Sequence, residues 1–242
     1  MKILQINAIY NLGSTGKTCF DFQTYVQQNT EHTCKTAFCY GGNAENGYVI
    51  GNRIDRKVHG FLSRLTGKQA WFSYFSTFGL IKYMKEYKPD VVQLRNLHGN
   101  YINFPMLMKY IAKNDIATVI TLHDCWVFTG KCCHYTSDRC YKWQTGCYDC
   151  PRLKKDNKSW FLDRTKELWR AKRKLFGSIP RLAVQGVSKW TVEEAKKLYE
   201  TALSKVLETK YEMIPVIESL GRVTRHAVYA KNSSPLYNAS AM

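Results

Sequence analysis

The sequence predicts an α/β fold: a parallel sheet with helices on both faces and a cysteine-rich insertion loop. Three observations predict it. Short apolar runs of strand length alternate with helix-period segments as far as about residue 198. Runs such as Val91-Val92-Gln93-Leu94 are of the buried type that parallel sheets use. Candidate reactive residues fall in three places just after such runs, and in open α/β sheets ligands collect beyond the carboxyl ends of the strands.

Taken in order, Lys2 to Ile9 reads as a strand. Asn11 to Gly16 reads as a turn, and Lys17 to Gln28 as a helix. A helix start offers unpaired N–H groups and a positive dipole end, so Gly13, Ser14, Thr15 and Gly16 suit a phosphate, although a plain tight turn would use the same residues. A Walker A loop is disfavoured, because its first glycine would fall at position 11, which is Asn11. Lys35 to Tyr40 is the second strand, closed by Gly41-Gly42. From Asn52 to Leu65, Ile54, Val58, Phe61, Leu62 and Leu65 recur at helical spacing, a face expected to pack on the sheet. Trp71 to Tyr87 is aromatic and stops before Pro89. Asp90 to Leu94 is a strand, Ile102 to Lys113 a helix and Ala117 to Leu122 a strand. Trp160 to Phe176 reads as a basic amphipathic helix with Leu162, Leu168, Trp169 and Leu175 available for packing. Leu182 to Val187 is a further strand, and Ser188 is placed to cap a helix running to about Tyr199.

Composition narrows the classes. A chain of 242 residues with 45% apolar content can bury one large core. No apolar run reaches the ~18–20 residues of a membrane span, and the N-terminus lacks a secretory signal, so the cytoplasm is the expected compartment. There, nine cysteines are expected as buried thiols or metal ligands rather than disulfides. The net charge of +17 attracts phosphate-rich partners. Fourteen Lys and Arg against five Asp and Glu stand between Lys131 and Arg181, a window compatible with docking on an anionic membrane through Lys154 to Lys174 or with a plain solvated face.

The densest stretch is Thr121 to Pro151, TLHDCWVFTGKCCHYTSDRCYKWQTGCYDCP, which packs five of the nine cysteines between Cys132 and Cys150. With KILQIN leading to GSTGK, IGNRID, YKPDVVQLRNLHGNYIN, the spacing C-x6-C-x6-C-x2-CP and VSKW in order along the chain, it resembles the Rossmann-like N-terminal half of family-4-type glycosyltransferases of the GT-B architecture. The closest likeness is to the bacterial polysaccharide branch that includes colanic acid biosynthesis.

The resemblance implies that residues 1–198 form an acceptor-side domain. It implies a retaining transferase that moves a sugar from a nucleotide-sugar to a polysaccharide or lipid-linked acceptor, with Gly13 to Gly16 beside the donor diphosphate. It makes His123 the first candidate for chemistry. Asp124 either orients it or caps the next turn. His98, Gly99 and Asn100 match the acceptor-side loop, although Arg95 stands where a histidine is expected. Cys133, Cys140, Cys147 and Cys150 fall at the family positions and could hold one structural zinc, with Cys132 and His134 as alternative ligands; unligated thiols and disulfides remain open. A closed four-thiolate site leaves no coordination position for catalysis, so no catalytic metal is expected. Residues 199–242 are expected to be an atypical tail, partly helical and then disordered, without a complete donor-binding domain. Glu200 and Glu208 match E-x7-E by spacing alone. The chain alone is therefore expected to be inactive. The alternative is a basic zinc-clasped nucleic-acid-binding module, against which no nucleic-acid motif appears and the aromatics lie mostly at core spacings.

Overall fold

A computed structural model of the chain describes residues 1–191, 193–194, 212–213 and 228–229. Strand β1 (Lys2–Ile6) leads through α1 (Gly13–Asn29) to β2 (Thr33–Phe38) and the short β3 (Gly47–Val49). Helices α2 (Arg53–Thr66) and α3 (Tyr74–Tyr87) precede β4 (Val91–Leu94), and α4 (Phe104–Lys113) precedes β5 (Ala117–Leu122). The cysteine-rich loop follows, then α5 (Thr165–Gly177) and β6 (Leu182–Gly186). Two-residue strands β7 (Glu212–Met213) and β8 (Val228–Tyr229) extend the sheet beyond β6.

The strand order is β3-β2-β1-β4-β5-β6-β8-β7, and every pairing is parallel. The chain winds outward in one direction from β1 to β3 and in the other from β4 to β6. The reversal leaves a crevice beyond the carboxyl ends of β1 and β4, the place where such sheets bind ligands.

Both faces of the sheet are covered. Ile3 of β1 packs with Cys34 and with Val26 of α1, while its neighbours Leu4 and Ile6 join Met84 of α3, Leu107 of α4 and Phe176 of α5 in the main core. Every residue of β4 and β5 is buried, which is why these strands read as continuous apolar runs. Helix α4 starts where the side chain of Asn103 accepts from Met106 N–H, and Pro105 in the first turn needs no hydrogen bond of its own. Among the described residues no helix is long and apolar enough to cross a membrane.

Several boundaries differ from expectation. Helix α1 begins at Gly13, so the glycine segment is the helix's first turn rather than a loop ahead of it. Strand β3 was not expected, being three residues long without a periodic signal. Helix α5 begins at Thr165, and Trp160 to Leu162 form an exposed loop before it; Leu168 is buried while Leu162 is not. The largest correction concerns α2. Its apolar face does not pack on the sheet: Ile54 is 72% exposed and Val58 and Phe61 are each 51% exposed, while His59, Gly60 and Ser63 turn inward. Ser188 Oγ accepts from Thr191 N–H at 3.2 Å, the expected cap; most of the helix to Tyr199, and Glu200 and Glu208, lie outside the described residues. So does the tail from 199 onward, apart from the strand residues already given.

Candidate active site

A buried polar ladder crosses the carboxyl ends of the central strands. Gln93 of β4 donates to Thr121 of β5 at 3.0 Å and to Gln185 of β6 at 3.3 Å, and Thr121 donates to Gln185 at 3.0 Å. Gln93 in turn accepts from Arg95 Nη2 at 3.4 Å. Arg95 is buried; its Nη1 reaches Thr18 Oγ1 of α1 at 3.1 Å and His123 Nε2 at 3.5 Å, while its Nε has no partner. One guanidinium thus ties the first turns of α1 to the histidine at the end of β5.

This contact fixes the state of His123. A guanidinium only donates, so Nε2 is the acceptor and the proton sits on Nδ1. Burial, and then the charge of Arg95, push the His123 pKa down to about 3 against the weaker pull of Asp124. The ring is neutral at physiological pH, with an N–H available to a ligand.

Asp124 does not orient His123. Its Oδ1 caps the following turn by accepting from Trp126 N–H at 2.8 Å, and its Oδ2 lies 2.7 Å from His98 Nε2. Burial raises its pKa, but His98, the Trp126 amide and His134 together outweigh that and keep it below the usual carboxylate range. Trp126 Nε1 donates to Gln69 at 2.5 Å, and Gln69 donates to the His98 carbonyl at 2.6 Å, so the two loops are clamped together.

The Gly13 to Gly16 segment stands at the same crevice. Helix α1 has no side-chain cap and no acidic residue in its first turn, which leaves its N-terminal N–H groups free for an anion. Asn7 holds the segment in place: its Nδ2 donates to the carbonyls of Ile9 at 2.8 Å and Thr15 at 3.3 Å, and its Oδ1 accepts from Asn96 N–H at 3.0 Å. Gly16 packs tightly under the turn, where an added Cβ would lie 3.2 Å from Asn11 N and from Ile9.

Gly99 packs against Ala8, and a Cβ there would come within 2.8 Å of it. Asn100 takes a left-handed backbone, φ 55°. Its buried Oδ1 has no hydrogen-bond partner, and the residue lines a polar cavity of about 200 Å³ together with Arg64, Gln69, Asp156, Asn157 and Lys158. The expected site residues at Gly13–Gly16, His98–Asn100 and His123–Asp124 therefore converge from three loops.

The cysteines divide differently from expectation. Cys132, not Cys133, shares a small cavity with Cys140, Cys147 and Cys150. Cys133 Sγ lies 3.8 Å from His98 Nε2, and His98, Asp124 and Cys133 are the one group among the described residues whose ligand atoms all stand within 4.8 Å of one another. In the other cavity Gly130 N–H donates to Cys147 Sγ at 3.1 Å. Hydrogen bonds from the Cys132 thiol and the Arg152 amide lower the pKa of Cys150. Lysine also holds this loop. Lys131 Nζ donates to the carbonyls of Arg152, Leu153 and Lys155 at 2.6, 2.9 and 3.0 Å. Lys172, fully buried, donates to the Trp126 carbonyl at 2.5 Å and sits 4.0 Å over its ring, and burial pushes its pKa down to about 7. Cys19, Cys34, Cys39 and Cys125 are buried.

No family model matches the chain. Over 105 residues it is 33% identical to the provisionally assigned colanic acid biosynthesis glycosyl transferase WcaC of Escherichia coli (strain K12). The likeness is to a glycosyltransferase. The matched segment is 41% of this chain but 25% of that protein, so the chain spans about a quarter of the relative's length.

Arg95, Cys132 and Lys131 are the site residues that sequence reasoning missed or set aside. The only signal for the first was polar residues, Gln93, Thr121 and Gln185, inside otherwise apolar strands.

Proposed function

We propose that the chain forms the acceptor-side half of a retaining glycosyltransferase, taking a sugar from a nucleotide-sugar to a polysaccharide or lipid-linked acceptor. The observation that carries this reading is His123, held neutral by burial and by Arg95 and set beside the uncapped N-terminus of α1. In transfer, the bond between the anomeric carbon and the diphosphate oxygen breaks with its electron pair leaving on the diphosphate, the acceptor hydroxyl bonds to that carbon, and its proton passes to the departing diphosphate. A neutral imidazole can donate Nδ1–H to the sugar without repelling a positively charged oxocarbenium. The free N–H groups of α1 and their dipole would take up the charge of the departing diphosphate. The polar cavity behind Asn100 has the amide, hydroxyl and charged groups that would recognise an acceptor's hydroxyls.

Titration of the chain with pyrophosphate and with uridine, guanosine and thymidine diphosphate sugars, followed by NMR, tests the reading. Shifts at the amides of Gly13 to Gly16 and at the His123 ring are expected at about millimolar ligand, and His123→Ala removes the sugar-dependent part. Silence with every nucleotide-sugar, with steeply salt-dependent binding to DNA or RNA instead, would favour the nucleic-acid alternative.

We also propose that the loop carries a structural zinc held by Cys132, Cys140, Cys147 and Cys150. Hydrogen bonds from the Cys132 thiol and the Arg152 N–H favour a thiolate at Cys150, whereas burial outweighs the Gly130 N–H and pushes the Cys147 pKa up to about 11, so zinc would have to displace the Cys147 proton. Because no three of these sulfurs lie within 4.8 Å of one another, binding would require side-chain rotation. About one zinc per purified chain is expected, lost in Cys147→Ser and kept in Cys133→Ser. Equal zinc in both variants would refute this ligand set.

A further inference from the structure

The exposed apolar residues of α2 form one stripe. Ile54, Val58, Phe61 and Leu65 follow each other by four, three and four residues, so they share one side of the helix. The stripe continues onto the loop before α5. Trp160 N–H donates to the Arg64 carbonyl at 2.8 Å, the Phe61 and Trp160 rings meet edge to face at 5.6 Å, and Phe161 beyond them is 73% exposed. A helix and a loop are thus bonded together to present a contiguous ridge of aliphatic and aromatic side chains to solvent. Isolated exposed apolar residues are ordinary, but a contiguous patch marks a binding surface.

The rim of the ridge is basic. Arg53, Lys57 and Arg64 are exposed on α2, and Lys158 and Arg164 flank the loop. Of the nearby acids, Asp163 accepts from Cys150 N–H and from Thr165, Glu167 pairs with Lys68 and Arg164, and Asp55 of α2 turns its Oδ2 into the interior, where it has no hydrogen-bond partner. An apolar stripe bordered by cations, on a chain of net charge +17, is complementary to the headgroup and acyl boundary of an anionic bilayer. It suits a second copy of the chain poorly, because a two-fold contact would bring the same basic rim against itself.

We propose that α2 and the Trp160–Leu162 loop dock the protein on an anionic lipid bilayer. The surface shares the Trp160–Leu162 loop with the window of Lys154 to Lys174 suggested by charge alone but adds α2 and leaves out α5, whose Leu168 and Phe176 turn into the core. Gly60 and Ser63 on the other side of α2 border the cavity that holds Asn100. A lipid-linked acceptor would therefore have its lipid at the ridge and its head group near the cavity. That last step rests on the transferase reading; the docking surface does not.

Flotation of the full chain with phosphatidylcholine vesicles, with and without about 30% phosphatidylglycerol, decides the matter. Binding is expected to the anionic vesicles alone, to weaken as salt is raised, and to fall about tenfold or more in the double variant Phe61→Ser with Phe161→Ser. Both side chains are at least half exposed, so an unchanged melting temperature should accompany the loss. No binding at low salt, equal binding by the double variant, or a wild-type dimer that this variant makes monomeric would each overturn the proposal. Vesicle binding without nucleotide-sugar shifts would leave the surface standing and sink the transferase reading; the reverse would sink the surface alone.

Discussion

Lowering the pH from 7 to 5 is expected to remove roughly 4 kcal/mol of unfolding free energy from the chain, through His59 and His123. Burial holds the pKa of His59 down to about 4 and that of His123 to about 3, whereas an unfolded histidine titrates near 6.5. At pH 7 both histidines are neutral in the folded chain and mostly neutral in the unfolded chain. Below about 6.5 the unfolded chain takes up two protons that the folded chain refuses, so stability is present above that pH and is lost as the pH falls toward the folded values. His59 makes a 2.7 Å bond from Nδ1 to Ser73 and leaves Nε2 buried without a partner, so a proton arriving there meets no acceptor. Lys172 adds a smaller slope of the same sign between pH 7 and about 6, where the folded chain completes its protonation, and none at pH 5, where it is protonated in both states. Its depressed pKa also makes stability rise from pH 7 toward 9, above which the buried thiols, whose pKa values are raised, begin to oppose folding. Urea unfolding followed by tryptophan fluorescence at pH 7, 6 and 5 measures the acid limb. A flat profile over that range would show that neither ring is held neutral, and His59→Gln should roughly halve the slope.

Replacing Arg95 by Ala is expected to cost about 1–3 kcal/mol, because it strips a partner from buried Gln93 and from the less buried His123 and Thr18 at once. Thr18, Gln93 and His123 all lose a contact, and the volume of the side chain is left empty in the crevice. Loss of stability alone would not distinguish a positioning role from plain packing, so the telling readout is the His123 ring. Without the neighbouring cation its pKa should rise, as seen by NMR titration of the imidazole. Arg95→Lys, which keeps a charge but not the fork of donors, should leave that pKa low while losing at least one of the three contacts. An unmoved His123 pKa in Arg95→Ala would mean that burial alone sets its protonation.

The central strands of the sheet were legible because strands buried on both faces show as apolar runs with little else able to explain them. Ala117 to Leu122 matches strand β5 residue for residue. The side on which α2 packs was not legible. Helical spacing of Ile54, Val58, Phe61 and Leu65 reveals an apolar face but carries no information on what covers it, and the inward face of small and polar residues, Gly60 and Ser63, has no periodic signature. At the site, the convergence of Gly13–Gly16, His98–Asn100 and His123–Asp124 follows from topology and was foreseen. The part played by Asp124 was left open between two choices, and a third partner, His98, emerged from a loop 26 positions away. Cys132 and Cys133 are adjacent, so spacing could not say which faces the other thiols. The path of the loop decides that, and turns Cys133 toward His98.

Lys131 has a bearing on how the insertion can be probed. A single ammonium gathers three carbonyls from the 152–155 turn, spanning the loop with contacts that involve no sulfur. The insertion thus has a redox-inert fastener that owes nothing to its thiols. Oxidants, chelators or single serine replacements would act on the thiols while the ammonium keeps the loop's ends in place, so the chemistry of the cysteines can be dissected on a chain that remains folded.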